Sequence, residues 1–296
     1  MKKALTRCFA LIFTLSFVFL ISATPASAAN HNKNELRPSS VKDKNLYSYT
    51  SMDIYLNSTK LSEQARIINS VVYVPIRSFS DAAATGATVT YDSKSRTITV
   101  AAKGLLLTAT DGGYVIYANA RPLFMTTPAT ILSNGRMYVP IESIAKAFGL
   151  SYTSDGKSLI VRGAYSPLAP ASSYYRDDEV LWLARIISAE SRGESLLGQI
   201  AVGCVVLNRV RSHLFPNTIY GVIFDRKYGV QFTPVANGTI YNTPGYSETL
   251  AAKICLEGFS LDKDMLFFLA PSKSTSFWIV NTRKYVFSIG GHDFYK

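Results

Sequence analysis

Histidine and cysteine are scarce, three of each in 296 residues, and so are acids, 20 against 31 lysines and arginines. His31, His213 and His292 stand far apart in sequence, so the metal clusters that a zinc amidase or endopeptidase needs have few ligands to draw on. No metal and no cofactor is implied. Cys8 lies in the N-terminal apolar run, and Cys204 and Cys255 alone cannot make the disulfide framework of a small secreted domain. Both sit in apolar helical patterns, so a single bridge and two buried free thiols fit equally well, while an activated thiolate near a helix N-terminus does not. After the first 28 residues no stretch is apolar enough to span a bilayer. Apolar residues at 48% and charged ones at 17% exclude wholesale disorder and collagen-like repeats, and the length predicts two or three domains. The net charge of +11 favours anionic surroundings.

The N-terminus has the three parts of a secretory signal: a basic start with Lys2, Lys3 and Arg7, an apolar core over 8–21, and Ala26-Ser27-Ala28 as a small-x-small cleavage site. That core is shorter than the roughly 20 residues of a membrane span. Cys8 opens the apolar run instead of closing it, which speaks against lipid attachment. The expectation is a signal peptide over 1–28, no stable membrane anchor after cleavage, and a secreted protein held at the cell wall or spore envelope. Residues 29–50, rich in Asn, Lys, Ser and Asp, read as a flexible tether.

From residue 51 the chain repeats itself. NSVVYVPIR at 69–77 returns as NGRMYVPIE at 134–142, offset by 65 residues. Each copy predicts a short strand, a Val-Pro-Ile step into a helix (78–85 and 143–148), a glycine (Gly86 or Gly149) and a hairpin: 88–91 with 97–100, and 150–153 with 159–161. These copies, with Tyr73-Val74-Pro75-Ile76-Arg77 and Tyr138-Val139-Pro140-Ile141-Glu142 as their cores, resemble the stalk-like repeat named after the N-terminal domain of copper amine oxidases. The resemblance covers 51–163, a stretch without His or Cys, so no imidazole or thiolate copper site can form there. It implies a spacer or wall-adhesion module. Residues 164–176, with two prolines and many small side chains, mark a linker, and a domain of about 120 residues follows over 177–296.

Asp177 and Asp178 suit a helix start, and Val180, Leu183, Ala184 and Ile187 follow at helical spacing. Glu190 continues that stripe, seven residues beyond Leu183. A carboxyl leaving a helix toward the core has its pKa raised by burial, as a general acid near neutral pH requires. The competing reading ends the helix one turn early and pairs Glu190 with Arg185 or Arg192. Ser191-x-x-Glu194 has capping-box spacing, which gives Glu194 a structural task at a helix beginning near Ser195. The next helix, 196–211, has a small face with Gly198, Ala201, Gly203 and Cys204. Its natural partner is 247–259, whose Ala251, Ala252 and Cys255 would set Cys255 near Cys204.

AESRGE at 189–194, GQIAVGCVVLNRV at 198–210, FPNTIYGVIF at 215–224, QFTPVANGTIY at 231–241, TSFWI at 275–279 and IGGHDFY at 289–295 occur in the order found in SleB-like spore cortex-lytic cell-wall hydrolases, and the C-terminal domain resembles that family. The resemblance implies an α+β protein: a lysozyme-like, mainly helical catalytic domain with short strands, preceded by the β-rich duplicated strand-helix-hairpin module. It implies a lytic transglycosylase that cleaves peptidoglycan between N-acetylmuramic acid and N-acetylglucosamine, with the first acid of AESRGE, Glu190, as its single general acid and base. Gln231, Phe232, Tyr241 and Trp278 are the candidate substrate-binding residues, each with a structural alternative in a turn or the core. His292 reads as structural. Partners are peptidoglycan glycan strands and anionic wall polymers, not nucleic acid. A hydrolytic muramidase and a non-catalytic wall-binding protein are the alternatives. The stalk repeats stand where cortex-lytic enzymes carry a helical peptidoglycan-binding module, which leaves cortex and vegetative peptidoglycan both open as substrate.

Overall fold

The computed structural model describes residues 48–227, 229–274 and 278–296. The expected signal peptide and the tether up to residue 47 lie outside these residues, as do Thr275, Ser276 and Phe277 of the TSFWI block.

Apolar and polar residues alternate in β1 (Thr50–Leu56), burying Met52, Ile54 and Leu56 on one face. β2 (Thr59–Lys60), β3 (Ala65–Ile68) and β4 (Val71–Pro75) follow, and β4 runs straight into α1 (Ile76–Ala83). Residues 88–124 form a five-stranded antiparallel meander: β5 (Thr88–Asp92), β6 (Thr97–Ala102), β7 (Leu105–Thr110), β8 (Val115–Ala118) and β9 (Arg121–Phe124). The second YVP segment lies in β11 (Met137–Pro140), after the short β10 (Thr130–Ile131), and leads into α2 (Ile141–Phe148), then β12 (Ser151–Ser154) and β13 (Ser158–Arg162).

β4 and β11 pair antiparallel with Val139 opposite Val74, and Phe148 of α2 meets Phe79 of α1 edge-on at 5.8 Å. β1 also pairs in parallel with β13, Ile54 opposite Leu159, so the first and last strands of this region are neighbours. Both helices begin two residues before their expected starts, with Pro75 and Pro140 as N-caps. A proline fits there because the first helical N–H groups have no partner within the helix. Gly149 ends α2 at φ 69°, and a Cβ on it would lie 2.0 Å from the Ser166 carbonyl oxygen. Only glycine serves at that turn.

β7 to β9, which extend the first hairpin, were not anticipated, nor were β1 to β3 and β10; β7 alternates cleanly, with Leu105, Leu107 and Ala109 buried. The expected linker is pinned along its length: Ser166 N–H donates to the Phe148 carbonyl, Leu168 N–H to Ala147, and Ala171 N–H to Asn119, before the single turn α3 (Ala171–Tyr174).

A second core forms around three helices, α4 (Asp177–Ser191), α5 (Leu196–Arg211) and α8 (Tyr246–Leu256). Each fully buried Leu, Ile or Val here contributes about 1.5–3 kcal/mol. The small faces of α5 and α8 do meet closely: a Cβ on Gly203 would sit 2.7 Å from Cys255 Sγ and 2.9 Å from Ile187 of α4. Cys204 and Cys255 are both buried and unbridged. Short α6 (Ile219–Ile223) and α7 (Thr233–Asn237) lie between α5 and α8 in sequence. A three-stranded sheet ordered β14 (Phe267–Leu269), β16 (His292–Tyr295), β15 (Tyr285–Ile289) closes the chain, with α9 (Trp278–Thr282) between β14 and β15 in sequence. The architecture is mixed α+β, with the β-rich part first. Val115 and Phe124 of the meander reach the second core, and Phe124 packs edge-on against Phe259 at 4.8 Å.

Candidate active site

The apolar stripe of α4 buries Leu183, Ala184 and Ile187, and the helix continues to Ser191, so Glu190 occupies its last turn. There it lines a groove of about 1270 Å³, the largest described cavity, together with Gln231, Phe232, Asp225, Arg209, Lys273, Trp278 and His292 among others. Burial raises the Glu190 carboxyl to about 7, against the opposing pull of the Lys273 and Arg209 charges. The carboxyl has no hydrogen bond or ion pair among the described residues. The early-ending helix with a Glu190 ion pair is therefore not what forms. Arg192 instead donates to Ser188 Oγ and to the Thr243 carbonyl, and Arg185 lies over the Trp182 ring at 4.8 Å.

Of the expected sugar-binding residues, three stand in the groove and one stands outside it. Gln231 donates to the Gly229 carbonyl at 3.3 Å, Phe232 is buried beside Phe268, and Trp278 is 52% exposed with Phe267 edge-on at 6.0 Å. Tyr241 is also exposed, but it sits in a separate aromatic group with Trp182 and Phe224, at 6.1 and 6.5 Å, and does not line this groove.

The capping box expected at Ser191 and Glu194 does not form. Ser191 Oγ donates to the Ile187 carbonyl at 2.7 Å, and the N-cap of α5 is Ser195, which accepts from Gly198 N–H. The Glu194 carboxylate reaches across the sequence instead: its Oε1 accepts from Gly291 N–H at 3.1 Å and lies 3.6 Å from His292 Nδ1. A Cβ on Gly290 would fall 1.8 Å from Glu194 Oε2, so this carboxylate is seated where only glycine leaves room. His292 is held in the groove wall with its ring against Phe268. Burial and the Lys273 charge lower its pKa despite the neighbouring Glu194 and Asp293, which keeps the imidazole neutral near pH 7.

Sequence reasoning did not single out Arg209, Asp225, Lys273 and Arg283 as groove residues. One signal was available: between residues 265 and 292 the chain contains Lys273, Arg283 and Lys284 and no Asp or Glu. Arg209 had no such signal, because it lies on a helix that is buried on nearly every side.

Two family models match the chain. Residues 193–295 match the cell wall hydrolase family, in a stretch that begins three residues after Glu190, and residues 54–162 match the copper amine oxidase N-terminal domain. Among individual relatives, a spore cortex-lytic enzyme of Bacillus cereus is 41% identical over 122 residues, covering 41% of this chain and 46% of the relative. A spore cortex-lytic enzyme of Bacillus subtilis is 36% identical over 120 residues, covering 40% and 38%. The chain thus spans less than half the length of these relatives. A solved structure, the catalytic domain of the germination-specific lytic transglycosylase SleB from Bacillus anthracis, is 39% identical, with 41% of this chain and 97% of that one covered and a TM-score of 0.38.

Proposed function

We propose that the protein is a peptidoglycan-cleaving lytic transglycosylase whose single general acid and base is Glu190, working in spore cortex lysis or wall remodelling. The observation that carries this reading is a carboxyl without a partner among the described residues, lining a large groove, with its pKa raised to about 7 and so protonated in a useful fraction at neutral pH. The protonated Glu190 gives its proton to the oxygen that links N-acetylmuramic acid to N-acetylglucosamine, and the C1–O bond breaks. The same carboxyl, now ionised, takes the proton from the muramyl 6-hydroxyl as that oxygen bonds to C1, closing a 1,6-anhydro ring. No water is consumed and the carboxyl returns to its starting state. One positioned acid and base of this kind is worth roughly 10² to 10⁴ in rate. Gln231, Phe232 and Trp278 supply a hydrogen-bonding amide and apolar faces for the sugar rings.

The domain scheme belongs to the same proposal: a signal peptide over 1–28, a tether over 29–50, a duplicated stalk module over 51–163, a linker over 164–176 and a lysozyme-like catalytic domain over 177–296, released outside the cell and held by wall contacts. The two YVP copies and their neighbouring strands support the duplication. A hydrolytic muramidase is the second reading, favoured by Asp225, a further carboxylate in the groove wall that could serve the water-activating role two-acid glycosidases need. Mass spectrometry of fragments released from purified peptidoglycan separates the two. Anhydro-muropeptides, lost in Glu190→Gln but retained in Asp225→Asn, support the transglycosylase; reducing ends lost in both variants support the hydrolase.

A further inference from the structure

The sequence from 265 to 292 is free of acids, and β14, Lys273, the start of α9 and Arg283 stand in the groove wall. Arg209 and Lys227 add two more cations. Against these four stand two acids, Asp225 and Glu190, and Glu190 is half protonated at about pH 7. Neither Lys273 nor Arg283 has a carboxylate partner among the described residues; Arg283 lies over the rings of Phe267 and Trp278 at 4.5 and 4.8 Å. Arg209 is 6% exposed. Its Nε donates to the Leu266 carbonyl at 2.8 Å, and the rings of Phe215, Phe232 and Phe267 surround the guanidinium at 4.8, 5.2 and 5.6 Å. Its Nη1 is buried with no hydrogen-bond partner among the described residues. The opposite charges that act on the guanidinium are Asp225 and Glu190, the latter half protonated near pH 7, so an anionic ligand group in the groove further offsets the cost of burying the cation.

We propose that this cationic lining is a carboxylate-reading subsite, so that the preferred substrate is glycan whose muramyl residues carry free carboxylates on their lactyl or peptide substituents. The inference rests on the glycan cleavage proposed above and names the chemical class of strand that the groove takes. Neutral stretches of the same glycan lack the group that Lys273 and Arg283 would meet and bind less well. Phosphate-bearing wall polymers are also anionic, but they are not the reacting strand and need not enter the groove.

The test uses the purified protein on three preparations of one batch of sacculi: untreated, with carboxyls capped as methylamides through a carbodiimide, and with phosphate polymers stripped by hydrofluoric acid. At limiting substrate, capping is expected to lower the rate of fragment release about fivefold, the factor for one exposed charge pair near the top of its usual range. Stripping phosphate is expected to leave the rate unchanged. Added salt narrows the difference, because exposed charges are screened. In Lys273→Gln/Arg283→Gln the ratio of uncapped to capped rates falls close to one. Equal rates of the unmutated protein on capped and untreated sacculi overturn the inference while leaving glycan cleavage standing, and so does a rate that drops on phosphate stripping instead. No release from any preparation overturns both.

Discussion

Arg121 of β9 and Glu257, just past α8, form a two-pronged ion pair at 2.7 and 2.8 Å with both side chains almost wholly buried. Lys146 of α2 adds a contact at 3.1 Å, the Tyr175 hydroxyl donates at 2.5 Å, and the Arg121 guanidinium lies 3.3 Å from the Tyr174 ring centre. Burial alone would push the Glu257 carboxyl up, but Arg121, Tyr175 and Lys146 outweigh it and hold it below its ordinary range. Four elements, β9, α2, the linker and the end of α8, thus converge on one carboxylate. The β-rich part is fastened to the helical part rather than strung loosely before it.

Removing that carboxylate leaves Arg121 buried without its partner. Glu257→Ala is expected to lose about 3–5 kcal/mol of stability, the usual cost of breaking a buried pair by deleting one side. Urea unfolding at pH 7 measures it. Because the Glu257 pKa is lowered in the fold, its contribution is present above the unfolded carboxyl value and disappears as pH falls through the folded one, so the gap between wild type and variant should shrink in acid. A gap of under about 1 kcal/mol at pH 7 would class the cluster with surface pairs.

Glu190 predicts the opposite sign. Its folded pKa is raised, from 4.5 to about 7, so between these values the unfolded chain ionises while the folded one stays protonated, and stability falls with rising pH. Glu190→Gln should therefore be more stable than wild type at pH 8, by an amount on the order of 3 kcal/mol, and indistinguishable from it near pH 4. Denaturant curves of both proteins at the two pH values are sufficient. A variant less stable than wild type at pH 8 would mean that the fold favours the ionised carboxyl.

Much of this was legible because it is local. The stripe from Leu183 through Ile187 led to Glu190, and the turn glycine Gly149 was placed by its position after an apolar helix. The small residues of α5 and α8 announced a close approach. What stayed hidden depends on distant partners. Glu194 has the spacing of a local cap, yet the amide it binds belongs to Gly291, 97 residues away. Tyr241 has the chemistry of a sugar platform, but the 3₁₀ turn Thr239–Tyr241 sends it toward Trp182 and Phe224. Lys273 and Arg283 lie in a stretch whose lack of acids is visible in the sequence, but only the fold sets them in the groove wall with Glu190.

The tight helix contact gives a further expectation. An added methyl at Gly203 would press on Cys255 Sγ and Ile187 together, in a place where three helices leave no slack. Gly203→Ala should destabilise by about 1–3 kcal/mol, as overpacked cores do. Gly198→Ala, whose nearest neighbour is 3.2 Å away, should cost less. Thermal unfolding of the two variants tests the ordering. A Gly203→Ala protein as stable as wild type would show that the helices separate readily.

Glu194 tests how the groove wall is held. Glu194→Ala withdraws the acceptor from Gly291 N–H and the anion beside His292 Nδ1, so the turn before β16 loses its tie to the start of α5. Hydrogen exchange should quicken at Gly291 while amides of α8 remain protected. Unchanged exchange at Gly291 would remove this tie from the account.

The central claim is that one carboxyl with a raised pKa serves as acid and then as base, and the pH dependence of the initial rate of glycan cleavage tests it most directly. The rate should fall as pH rises through about 7, where Glu190 loses its proton, and Glu190→Gln should show a rate lower by roughly 10² to 10⁴ with no such limb. A rate undiminished up to pH 9, or a Glu190→Gln protein that cleaves as fast as wild type, would contradict it.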